Sequence, residues 1–146
     1  MPNHFHILMT PVVENGISIF MRKIMTGYAM YFNKKYERTG TLFEGKFKAR
    51  LVDDDVYLKY LFAYIHLNPT KLIQSDWKEK GITDAERAKA YVRKYAHSSY
   101  KDCAGESRRE SSILNPEAFP EYFTSSDDFE KNVFDWFEQN KQVLPV

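Results

Sequence analysis

Between Asn15 and Tyr36, apolar side chains recur at helical spacing: Ile17, Phe20, Met21, Ile24, Tyr28, Tyr31 and Phe32. A period of 3.6 residues puts them on one broad face of a long helix. Asn15 is placed to cap its start, and Gly27 is a weak point inside it. The segments on either side switch to a period of two. In residues 4–10, Phe5, Ile7 and Met9 share one face while His4, His6 and Leu8 share the other, and Pro11 ends the run. In residues 42–52, Phe43, Gly45, Phe47, Ala49 and Leu51 alternate with Glu44, Lys46, Lys48 and Arg50. That pattern predicts one long bent strand or a hairpin turning near Gly45, with Glu37, Arg38, Thr39 and Gly40 forming the turn before it.

Further along, the spacing predicts helices over residues 56–67, 84–95 and 127–139. The first stops at Asn68-Pro69, the second is capped by Thr83, and the third by Ser125 or Ser126. Asp53, Asp54 and Asp55 read as a cap and a complement to the helix dipole. They do not read as a metal cluster, because adjacent Asp side chains do not converge on one ion. Residues 103–115, rich in Gly, Ser and charge, are expected to be a mobile loop. No internal repeat is present.

At 146 residues the chain is long enough to bury a core without covalent staples. Its single cysteine, Cys103, excludes an intramolecular disulfide, and no cysteine cluster supports a structural zinc site. No apolar run approaches the length of a membrane span, and the N-terminus lacks a signal-peptide pattern, so the expected location is the cytoplasm. The net charge of +1 hides an asymmetry. Residues 22–50 hold eight basic and two acidic side chains, whereas residues 101–146 hold five basic and ten acidic ones. A basic stretch interleaved with Tyr28, Tyr31, Phe32, Tyr36, Phe43 and Phe47 suits a polyanion with stackable rings, that is, nucleic acid, the other reading being an ordinary solvated basic face. Most of those rings are expected in the core.

Two constellations carry possible chemistry. The strand period places the imidazoles of His4 and His6 on one face, close enough to hold one cation. Tyr64 and Asn68 stand four apart and so share a helix face. Tyr57 and Tyr60 are rivals to Tyr64 by position. His66, two residues on, is about 200° round the helix and should point elsewhere.

Three ordered stretches, residues 1–8, 38–49 and 64–69, resemble the motifs of the REP-associated tyrosine transposases, within the single-tyrosine transposases that carry a His-hydrophobic-His strand. Ser98-Ser99-Tyr100 is similar to a serine-rich step that these proteins carry downstream. The resemblance implies an α+β fold with an antiparallel ferredoxin-like sheet and helices packed on it. The family domain has a strand and helix before the His-x-His strand, so the sheet is expected to lack that first unit. Residues 1–103 would form the transposase-like domain and residues 104–146 an acidic helical extension.

The implied activity is cleavage and rejoining of single-stranded or hairpin DNA through a 5′-phosphotyrosine. In that reading Tyr64 is the nucleophile. His4 and His6, with Asn68, hold Mg²⁺ or Mn²⁺. The basic residues Arg38, Lys46, Lys48 and Arg50 hold phosphates, and the protein acts as a monomer or homodimer. Two other readings use the same residues: a DNA-binding remnant without chemistry, and a metal-dependent hydrolytic nuclease that does not use Tyr64.

Overall fold

The computed structural model describes residues 3–118, 122 and 125–139. Among the described residues six α-helices follow in chain order: α1 Gly16–Lys35, α2 Asp55–Leu67, α3 Trp77–Lys80, α4 Ala85–Lys94, α5 Tyr100–Cys103 and α6 Ser126–Gln139. No helix among the described residues is long and apolar enough to cross a membrane.

The described residues contain no β-strand, which overturns the expected α+β fold and its ferredoxin-like antiparallel sheet. Residues 4–10 carry no regular structure, residues 42–45 bend, and residues 46–54 run on without a ladder. The physical reason is that alternation is a local property and pairing is not. A two-residue period selects which face is apolar, but only a neighbouring strand satisfies the backbone N–H and C=O groups. Among the described residues neither segment finds one. Phe5 and Ile7, which the alternation sets on one face, are both exposed.

The chain divides into two compact units, one of residues 7–51 and one of residues 1–6 with 52–146. In the smaller unit α1 forms as its periodicity predicts, but Asn15 does not cap it through its side chain. Asn15 instead adopts a left-handed conformation (φ 56°), a geometry Asn tolerates, after a turn in which Gly16 N–H donates to the Val13 carbonyl. The expected turn after α1 is present. Glu37 and Gly40 have positive φ, and the Asn33 side chain donates to the Gly40 carbonyl at 2.9 Å. Tyr28, Phe32 and Phe43 gather beside α1, yet Met21 is its buried residue and most of its apolar face is open.

In the larger unit, α2 and α6 pack together. Phe129, Val133, Phe134 and Phe137 of α6 recur at helical spacing and join Leu67, Trp77, Ala88, Val92 and Tyr100 in one core. The capping predictions divide. Asp54 accepts from the Tyr57 N–H at 2.6 Å and Ser125 from the Asp128 N–H at 3.1 Å, as expected. At α4 the cap is Asp84, not Thr83. The expected mobile loop is instead tied down. Arg108 donates to the carbonyls of Ala96 and Ser98 and forms a bidentate pair with Asp102, whose carboxylate also accepts from Ser111.

Candidate active site

α2 exists because Asp54 and Asp55 complement its N-terminus and its apolar positions face α6. It ends at Leu67. Pro69 cannot donate an N–H, and the chain tightens into a 3₁₀ turn, Asn68–Leu72, before α3. This local path sets Tyr57, Tyr60 and Tyr64 in a row, with Tyr60 and Tyr64 stacked at 6.0 Å. It also returns Lys78 of α3 to the same place, its ammonium 4.0 Å from the Tyr64 ring centroid.

Residues 3–6 reach this row from the other end of the sequence. The rings of His4 and His6 meet edge to face at 5.2 Å, and His6 meets Tyr64 at 5.8 Å. Two of the sequence-derived motifs, 58 positions apart, therefore converge within one compact unit. His4 Nδ1 lies 2.8 Å from Asn3 Oδ1. Partial burial, then the nearby charges of His4 and Lys78, hold His6 below its ordinary pKa, which keeps its lone pair available at neutral pH.

Two imidazoles at this separation fit part of the coordination sphere of a divalent ion. No group of three or more His, Cys, Asp or Glu side chains among the described residues is arranged to hold a metal. Asn68 is a buried residue, 3% exposed, whose Nδ2 has no hydrogen-bond partner among the described residues. Tyr60 is buried as well, and that burial, then the adjoining Tyr64 and Tyr57, raises its pKa.

His66 points away from Tyr64, as the helical period requires. Its ring is buried, Nδ1–H donating to the Phe62 carbonyl at 2.8 Å and Nε2 accepting from the Ser99 hydroxyl at 2.9 Å. Burial lowers its pKa to about 4. Cys103, 3.9 Å from the same nitrogen, is pushed up to about 11 by burial and then by Asp102, which leaves it an inert thiol. Arg38, Lys46, Lys48 and Arg50 are exposed side chains of the smaller unit. Lys78 escapes sequence reasoning altogether, because it arrives through a 3₁₀ turn and a four-residue helix that leave no periodic signal.

Compared with known families, residues 1–68 match the model described as "Transposase IS200 like". The match spans His4, His6, Tyr64 and Asn68, and it supports a role in DNA transposition. No curated protein and no solved structure matches the chain.

Proposed function

We propose, from the likeness of residues 1–68 to IS200-like transposases, that this chain cleaves and rejoins single-stranded, hairpin-forming DNA with Tyr64 as nucleophile. The observation that carries this reading is the convergence of His6 and Lys78 on Tyr64. Tyr64 Oη attacks the scissile phosphorus and the bond from phosphorus to the 3′ oxygen breaks. The phenol loses its proton to solvent and the departing oxygen takes one up. The products are a 5′-phosphotyrosine and a free 3′-hydroxyl. One phosphodiester is exchanged for another, so a second 3′-hydroxyl can reverse the step and release Tyr64 without ATP.

Lys78 is placed to hold a non-bridging phosphate oxygen beside the ring. His4 and His6 would hold Mg²⁺ or Mn²⁺, which when bound polarises the phosphate. Asn68 supports this site from the end of α2, as a buried positioning side chain. The test is to incubate the protein with end-labelled hairpin DNA and Mn²⁺ and resolve the products on a denaturing gel. A protein-DNA adduct is expected, and Tyr64→Phe should form none while still binding DNA. Tyr60→Phe should form it. Cleavage by Tyr64→Phe would mean that water, not tyrosine, attacks.

A further inference from the structure

The rings of α1, expected in a core, lie largely in the open. Phe20 is 44% exposed, Ile24 38%, Tyr28 50% and Tyr31 57%. At 100° per residue these four fall within one quarter of the helix circumference, a ribbon running about 16 Å along the axis. Lys35 continues it, with its ammonium 5.6 Å from the Tyr31 centroid and 5.5 Å from that of Tyr36. Gly27 borders the ribbon, and a side chain there would meet nothing within 4 Å. A helix-interior glycine weakens α1 without any packing demand for it, and its absent side chain leaves a flat gap beside Tyr31.

An exposed apolar face needs an occupant, and charge selects one. The unit that carries α1, residues 7–51, holds eight basic and three acidic side chains, a net +5. A second copy brought against this face through its own residues 7–51 would set like charge against like. A single nucleic-acid strand supplies what the face lacks: flat bases for the rings and phosphates for the cations. The Tyr28 and Tyr31 rings, 6.4 Å apart and tilted by 36°, offer two neighbouring surfaces. We infer that α1 is a stacking platform for unpaired bases, with Tyr28 and Tyr31 as its central rings and Lys35 holding the adjoining phosphate. This inference rests on the DNA reading above and adds to it where the unpaired part of the substrate lies. It also implies a preference for single strands, since the base faces of a duplex are already stacked.

The test uses the full chain and a short unstructured oligonucleotide carrying 2-aminopurine. Binding to the wild-type protein should quench the probe, as stacking on a ring does. Tyr31→Leu keeps apolar bulk but cannot stack. It should bind about tenfold more weakly, with the slope of log affinity against log salt unchanged because no charge has changed. Tyr31→Phe should bind like wild type, which separates stacking from loss of fold. Wild-type affinity in Tyr31→Leu, or an unquenched probe in the wild-type complex, overturns the platform. So does sedimentation showing a dimer that Tyr31→Leu dissociates while DNA affinity holds. The two readings fail separately. Quenching without any adduct overturns the Tyr64 chemistry alone, and an adduct with unaltered binding by Tyr31→Leu overturns the platform alone.

Discussion

The buried imidazole of His66 makes a prediction about acid. Its neutral form is held on both nitrogens by Phe62 and Ser99, and burial lowers its pKa from 6.5 to about 4. In the unfolded chain it protonates near the ordinary value, so between these two values the unfolded state binds the extra proton. Stability from His66 is therefore fully present above pH 6.5 and is lost as pH falls toward 4. The full span corresponds to about 3 kcal/mol. Urea unfolding at a series of pH values should show this slope, and His66→Gln should flatten it relative to wild type. An equal slope in the variant would mean that the acid sensitivity comes from carboxylates such as Asp102 and Glu130, whose pKa values are held low by Arg108 and Arg93. The same residue anchors the turn of α2 between Tyr64 and Asn68, so acid should loosen the candidate nucleophile's support as well as the core.

Among the elements, the exposed stretch with Lys46, Lys48 and Arg50 makes a quantitative prediction. Each neutralised phosphate contributes about 0.7 to the log-log salt slope on single strands, so changing all three to Ala should flatten that slope by about 2. An unchanged slope would leave them as ordinary surface charge. That stretch also shows where sequence stopped being informative. The helices were legible because their signals are local: a 3.6-residue repeat in α1, a capping Asp before α2, and Phe129, Val133 and Phe137 along α6. The sheet was misread because its signal was equally local while its requirement, a partner strand, is not. Trp77 and Tyr100, both buried in the core, were invisible for another reason: four-residue helices carry less than one and a half turns of pattern. At the candidate site, the motifs named His4, His6 and Tyr64, which the structure groups. They did not show that Asn68 is buried, because burial there is decided by the 3₁₀ turn and by core residues distant in sequence.

At the scale of the whole molecule, the tied loop is the feature most open to a direct test. Arg108 joins Ala96, Ser98 and Asp102, and the Asp102 side chain is only 5% exposed. Removing the guanidinium leaves that carboxylate buried with only Ser111 beside it. Arg108→Ala should make residues 103–115 sensitive to limited proteolysis, with cuts mapped by mass spectrometry, while wild type resists. Equal cutting of both would show that the segment is held by something other than Arg108. The larger unit has a second property that follows from its being interrupted in sequence by residues 7–51. His4 and His6 are translated before their neighbours in the site: the ring that His6 meets is 58 positions later and the Lys78 cation later still. At 5–20 residues per second, roughly 3 to 12 s separate the emergence of His6 from that of Tyr64. No nascent chain that stops short of Lys78 can hold the three groups together. The candidate site is thus completed by the order of synthesis only once α3 has left the ribosome.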